Sequence, residues 1–366
     1  MLVEDGRIVK LGTRSSVVAA SNAQTHDFGD SILAPGFVDI HVHGSAGYDV
    51  MQAEDSARVH FEQFLARHGV TAYYPTTIAA PLDVIECALQ RLGNAIENAG
   101  RKDTTYGIAQ PLGIHLEGPF LSHACRGAHS PEDLILPSSQ TFNRFWQAAR
   151  GHIRLMTIAP ELEGALEVIA EATRRGVCVS LGHSNADLDS TRRGVAAGAR
   201  HATHTFNAMR PLSHRDPGIV GEALTNRHLT ADIIADGVHV DPTVVELFLR
   251  AKGVENAVLI TDATSATGMP DGKYQLGALE VEVKNGMVQR DGKLAGSVLT
   301  MDRAVRNAMN FAGWELPQAV RIATANPARV AGARNKGLLQ PGADADFVVL
   351  SASGDVRGTV INGKIV

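Results

Sequence analysis

The sequence predicts an α/β fold: a (β/α)8 TIM-like barrel with a small β-sandwich domain formed from both chain termini. Three observations carry this. Eight short runs rich in β-branched residues alternate with helix-patterned stretches from Pro35 to about Gly313, which favours a parallel barrel over an open sheet. Polar residues collect at the C-terminal ends of those runs, the rim on which such barrels place their sites. The two chain ends lack the alternation and read as β structure alone.

The elements follow in order. Residues 2–12, LVEDGRIVKLG, form a hairpin pattern around Asp5-Gly6. Strands are expected at 36–43, 70–76, 113–116, 153–159, 177–181, 201–205, 230–235 and 257–261. Helices are expected at 53–68, 82–99, 132–150, 161–175, 186–197, 217–227 and 242–252. In the first of these, Val59, Phe61, Phe64 and Leu65 share roughly one face. Gly69, Gly151, Gly176 and Gly253 stand where a left-handed helix cap is wanted. A β-like insertion at 272–296 separates the eighth strand from its helix at 298–311. The chain end, ADFVVLSASGDVRGTVINGKIV, reads strand, turn, strand, with Asn362-Gly363 as a second turn signal. Two β segments from opposite ends of the chain would pair beside the barrel. The expected division is residues 1–33 and 329–366 in the small β domain and 34–328 in the barrel.

Composition narrows the function classes. The 366 residues are 44% hydrophobic and 20% charged, an ordinary globular balance. A net charge of -5 argues against a nucleic-acid partner, whose phosphates demand a basic surface. No apolar run approaches the ~20 residues of a membrane span. The opening MLVEDGRIVKLG, with early Glu and Asp and no apolar core, does not read as a secretory signal. Cys87, Cys125 and Cys178 are odd in number and scattered, so a reducing cytoplasm is expected. The informative excess is histidine, with 15 copies.

Several of those histidines end strands. LAPGFVDIHVHG, residues 33–44, closes on His41 and His43; positions i and i+2 of a strand point the same way. The third strand runs into HLEGP with Glu117, the fifth into GHS with His183, the sixth carries His204 and the eighth ends at Asp262. Imidazole nitrogen and carboxylate oxygen are the usual ligands of Zn²⁺ and related divalent ions. Singly, each residue has an ordinary structural explanation: a satisfied polar strand end, a helix cap or a turn. Together they would require several groups of costly buried polar residues on one rim, and a metal cage with a spare carboxylate accounts for them better.

PGFVDIHVHG and TDAT, set on the barrel pattern, resemble the amidohydrolase superfamily. Within it, HLEGPFL, LGHSNA, THTFNAMRPL and DGVHV closely resemble the N-acetylglucosamine-6-phosphate deacetylase family, from about residue 3 to the end. The resemblance implies removal of acetate from the 2-amino group of the phosphorylated sugar. It implies Glu117, His183 and His204 as principal metal ligands. Because His41 and His43 are both present, it permits a second ion, with Glu117 bridging and Asp262 nearby. Many other amidohydrolases bridge two metals through a carboxylated Lys on strand four. That strand here, HIRLMTIAPE, has no Lys, which leaves Glu117 as the bridge. The metal is expected to be Zn²⁺, with Fe²⁺, Co²⁺ or Mn²⁺ also compatible, at one or two ions per subunit. Relatives usually begin with a further strand or two before LVEDGRIV, so either the small β domain is trimmed on that side or the true start lies upstream.

The expected mechanism is attack by a metal-bound hydroxide, with Asp262 as general base and then as acid to the leaving amine. His129 or His239 would help the metal stabilise the charged carbonyl oxygen, and the resemblance places His239 near the reacting group and His129 near the sugar. For the phosphate, Arg215 with His214 is the first choice. The resemblance suggests that the pair reaches into a neighbouring subunit's site, making a homodimer functional. Arg210 is the rival, and Asn207 and Ala208 could bond phosphate or sugar. The loop at 123–131 would suit a mobile lid, with Cys125 an incidental thiol. Two alternatives stay open: a metal-dependent hydrolase of another N-acyl amino sugar or of an N-acetyl amino acid, and a non-catalytic ligand-binding barrel.

Overall fold

The computed structural model describes residues 1–52, 55–99 and 107–366. Among the described residues, eight short parallel strands run in chain order around a barrel: β1 (Phe37–Val42), β2 (Val70–Thr77), β3 (Ile114–Glu117), β4 (Ile153–Ile158), β5 (Cys178–Leu181), β6 (His201–Ala202), β7 (Ala231–Ile234) and β8 (Ala257–Ile260). β1 to β6 pair successively and β7 pairs with β8. Backbone hydrogen bonds join these two sheets at both seams. Ala202 N–H donates to Thr230 O at 3.0 Å and Thr205 N–H to Asp232 O at 2.9 Å. On the other side Asp262 N–H donates to His41 O at 2.9 Å and His43 N–H to Ala263 O at 2.8 Å. Every residue of β1, β2, β3, β7 and β8 is buried, as parallel strands covered by helices must be.

The covering helices are α1 (Asp55–Arg67), α2 (Leu82–Ala99), α3 (Ser139–Ala148), α4 (Ala165–Arg174), α5 (Leu188–Ala197), α6 (Gly218–Thr225), α7 (Pro242–Asn256) and α8 (Met301–Ala312), followed by α9 (Leu316–Ala323) and α10 (Ala325–Val330). They lay apolar stripes on the barrel, as α2 does with Ile85, Ala88, Leu89 and Leu92. Several boundaries shift, and three of the shifts have a clear local cause. The helix expected at 132–150 starts only at Ser139, because Pro137 lacks the N–H a helix interior needs. Ser138 then caps the new start, its Oγ accepting from Thr141 N–H at 3.1 Å. The helix expected at 161–175 starts at Ala165, because Gly164 has φ 79°, and a Cβ there would lie 2.2 Å from Pro137 O. The strand expected at 201–205 stops at Ala202, because His204 turns to φ 29°. Positions 53 and 54 of the first expected helix lie outside the described residues.

The insertion forms a four-stranded antiparallel sheet: Gly272–Leu276, Leu279–Lys284, Met287–Arg290 and Lys293–Leu294. Leu279, Val281 and Val283 alternate inward against exposed Glu280, Glu282 and Lys284. At the chain ends, Ile32–Pro35 pairs with Phe347–Leu350, which pairs with Val356–Ile361 and so with Lys364–Ile365. The hairpin of Leu2–Glu4 and Arg7–Lys10 docks beside this sheet, Ile8 N–H donating to Ala343 O at 2.9 Å and Ala345 N–H to Gly6 O at 2.8 Å. Asn362-Gly363 turns with φ 51° and 76°, both positive as a two-residue hairpin turn requires. Buried Lys336 ties the sheet to the barrel by pairing with Asp344 and Asp346 and donating to Gln110 Oε1 at 3.2 Å.

Candidate metal centre and active site

His41 near the end of β1 and His43 just past it face one point, their Nε2 atoms 3.2 Å apart. Glu117, the last residue of β3, reaches the same point from across the barrel. Its Oε2 lies 3.3 Å from both His41 Nε2 and His43 Nε2. Its Oε1 lies 3.3 Å from His183 Nε2 and 3.1 Å from His204 Nε2. Asp262 Oδ1, just past β8, stands 3.0 Å from His43 Nε2 and 3.5 Å from His41 Nε2. One carboxylate therefore serves two nests, with Asp262 in the second.

The donor set fits divalent metal. Bonds of ~2.0–2.1 Å in a tetrahedral shell set ligand atoms about 3.3–3.4 Å apart, close to the spacings here. Hydrogen bonding also dictates which ring nitrogen is bare. His43 Nδ1 faces Thr76 O at 3.0 Å, His183 Nδ1 faces Cys125 O at 3.0 Å, and His204 Nδ1 faces Asn207 O at 3.1 Å. A carbonyl only accepts, so each Nδ1 carries the proton and each Nε2 turns a lone pair inward. Two such lone pairs, on His183 and His204, stand 3.0 Å apart and call for a cation between them. His41 differs, since its buried Nδ1 has no hydrogen-bond partner among the described residues.

The field agrees. Burial opposes charge on His43, but the hydrogen bonds and charges of Asp262 and Glu117 push its pKa up to about 10. Burial likewise opposes charge on His204, and Glu117 nonetheless raises it to about 9. Burial alone would raise the two carboxyls. The surrounding imidazoles instead hold Glu117 well below its usual range and Asp262 at about 2. The pocket wants positive charge. His183 (φ 47°), His204 (φ 29°) and Asp262 (φ 50°) all bend out of their strands through left-handed backbone. Each such residue costs of order 1–3 kcal/mol and persists only where its surroundings enforce it.

These residues floor a cavity of about 330 Å³. His129, Asn207, Ala208 and His239 line it. His129 Nδ1 accepts Ala79 N–H at 3.3 Å, which leaves the other nitrogen as the N–H. Burial and the neighbouring His183 push His129 down to about 3, so it is a neutral donor. His239 Nδ1 is held 2.7 Å from Asp236 Oδ2. Burial works against the Asp236 carboxylate, but its bond to His239 keeps the pKa below the ordinary value. Arg215 and His214 are exposed and are not among the lining residues of this chain's own cavity. The rival Arg210 is committed to Asp216.

Sequence reasoning missed Asp236, although an acid three residues before a site histidine was a usable signal. It also missed the wall that the insertion supplies through Leu276, Leu279, Lys293 and Leu294. Arg290 of that sheet donates to Ala128 O at 2.7 Å and to Ser130 Oγ at 3.3 Å, so it clasps the 123–131 loop that carries His129. Cys125 contributes its carbonyl to His183 and is half-buried, with burial raising the thiol pKa.

A parallel barrel with such a rim defines a class, and the chain belongs to the amidohydrolase family, whose profile matches residues 32–366. Its branch is that of the N-acetylglucosamine-6-phosphate deacetylases. It is 40% identical to the Bos taurus protein of that name, over 94% of this chain and 85% of the relative. It is 38% identical to an N-acetylgalactosamine-6-phosphate deacetylase of Escherichia coli O157:H7, over 91% and 87% respectively. Among solved structures it superposes on an Asp-to-Ala variant of N-acetyl-D-glucosamine-6-phosphate deacetylase from Mycobacterium smegmatis, in complex with N-acetyl-D-glucosamine-6-phosphate. That match has a TM-score of 0.90 and 35% identity, over 99% of this chain and 93% of the other.

Proposed function

We propose that the protein hydrolyses the acetamide of N-acetylglucosamine 6-phosphate, yielding glucosamine 6-phosphate and acetate. The observation that carries this is the shared carboxylate: Glu117 faces two imidazole pairs while Asp262 stands beside one of them. Glu117, His183 and His204 would hold one divalent ion. His41 and His43, with Glu117 and Asp262 shared, would hold a second. The first is the tighter, since among the described residues His41 Nδ1 has no acceptor like those that aim the other imidazoles. The donors suit Zn²⁺, and Fe²⁺, Co²⁺ or Mn²⁺ accept the same set. A bound divalent ion acidifies water toward neutral pH and polarises an amide carbonyl.

The chain's own groups do the rest. Asp262 is ionised at neutral pH, so it begins as proton acceptor from water and hands the proton to the departing amine. His129, neutral and donating, and His239, aimed by Asp236, would bond the carbonyl and the sugar. Asn207 Nδ2 is buried without a partner among the described residues, a donor free for a hydroxyl or phosphate oxygen. Exposed Arg215 and His214 would serve the phosphate of a neighbouring subunit's substrate, which requires a homodimer. The barrel, residues 34–328, would carry the chemistry, and the β domain of 1–33 and 329–366 would brace it. No described helix is long and apolar enough to cross a membrane. The free cysteines and the phosphorylated substrate suit a cytoplasmic enzyme.

A second reading, N-acetylgalactosamine 6-phosphate as substrate, is favoured by the relative from E. coli O157:H7. Acetate release tests both. Chelated and metal-restored protein is compared on the two phosphosugars and on unphosphorylated N-acetylglucosamine. Activity should return with metal and be far greater on the glucosamine-type phosphosugar. Equal rates with and without phosphate would defeat the substrate assignment, and turnover indifferent to chelation and metal would defeat the mechanism.

A further inference from the structure

Behind the metal centre, the barrel interior holds a polar pair that the reaction does not use. His201 and Asp232 are each 0% exposed, and neither lines the cavity. Barrel interiors are ordinarily filled by branched apolar side chains, and a buried polar pair is costly unless every group is engaged. Here each is engaged. His201 Nδ1 lies 2.7 Å from Thr230 Oγ1 and its Nε2 2.8 Å from Asp232 Oδ2. Asp232 Oδ1, the other oxygen, accepts the backbone N–H of His204. The carbonyl of Asp232 accepts the next N–H, that of Thr205, at 2.9 Å.

The placement matters because β6 is only two residues long and His204 leaves it at φ 29°. Where the ladder fails, a side-chain oxygen of β7 takes the N–H that strand pairing no longer accommodates. That contact holds a strained backbone whose side chain ends 3.1 Å from Glu117. We infer that Asp232, aimed by His201, is a positioning residue that holds His204 at the metal centre. This rests on the reading of His204 as a metal ligand.

Cobalt separates the two. Purified chains are loaded with Co²⁺, the affinity is measured by chelator competition, and the visible absorption of the bound ion is recorded. Asp232→Ala should bind Co²⁺ roughly tenfold or more weakly, the scale for outer partners of metal ligands, with an altered visible spectrum. Asp232→Asn keeps an oxygen for the His204 N–H and should stay within about threefold of the unaltered chain. His201→Leu, which removes the aim but leaves the acceptor, should fall between, and it carries the comparison if Asp232→Ala does not fold. An unaltered chain that takes up no Co²⁺ removes the metal reading itself. Asp232→Ala or His201→Leu with unaltered affinity and spectrum overturns the positioning role alone. So does Asp232→Asn as weak as Asp232→Ala, since charge rather than the bond to His204 would then be at work.

Discussion

In the proposed reaction two demands meet at Asp262: a carboxylate must stay ionised in a buried place and, once it has taken a proton, give it up later in the cycle. Burial favours the neutral acid, and the imidazoles of His41 and His43 more than offset it. Asp262→Asn keeps the shape and removes the proton acceptor. Turnover is expected to fall by about 10²–10⁴-fold, the usual worth of a positioned acid–base group, while elemental analysis should still find the ion held by Glu117, His183 and His204. Unaltered acetate release would sink the role. At this scale the sequence was legible where chemistry is local. The i, i+2 spacing of His41 and His43 alone predicts that they face one point. Asp236, three residues before His239, carried a local signal that was missed. Asp232 was not legible, because its worth lies in an N–H brought to it by another strand.

Among the elements, α8 meets the end of α1 through a partly buried pair. Asp302, in the first turn of α8, lies 3.0 Å from His68 Nδ1 and 3.0 Å from Arg306. Burial would raise its pKa, but the hydrogen bonds of His68 and Thr300 and the charges of His68 and Arg306 hold it well below the carboxylate range. Because the folded pKa is depressed, the stability it contributes is present above the unfolded value of ~3.9 and fades as pH falls below that. Asp302→Asn should therefore cost about 1.5–3 kcal/mol at pH 7, typical of hydrogen bonds to a charged group. The difference in thermal midpoint from the unaltered chain should be full at pH 7, begin to narrow below about pH 4, and close only as pH approaches the depressed folded value. A gap as wide at pH 2 as at pH 7 would refute the linkage. Gly44 shows another constraint between elements: a Cβ there would stand 2.1 Å from Tyr48 O, so only glycine lets the chain fold back beside β1. Strand and helix existence followed from apolar periodicity. Boundaries followed from Pro137, Gly164 and the bend at His204, of which the first two were visible as residue types.

For the whole molecule, the proposal turns on the phosphate end. The expected cations, Arg215 and His214, lie exposed on this chain, which is the arrangement a residue serving a neighbour's cavity would need. Arg215→Ala should raise KM for the phosphorylated sugar by roughly 10–100-fold, the worth of one charge-assisted hydrogen bond. It should leave kcat and the unphosphorylated substrate nearly untouched, and light scattering should report a dimer for both chains. A monomer of full activity would remove the intersubunit role.

By itself the sequence determined the alternation that makes a barrel, the β character of both chain ends, and the ligand types that end the strands. These are periodic or local properties, set by side-chain chemistry within a few residues. Only the tertiary structure decided that Glu117 would divide its two oxygens between imidazole pairs. It alone decided that the insertion would wall the cavity and clasp the 123–131 loop through Arg290, and that Asp232 would take the N–H of His204. Those depend on distances across the barrel, between residues tens to hundreds of positions apart, which closure of the sheet sets and sequence spacing does not encode.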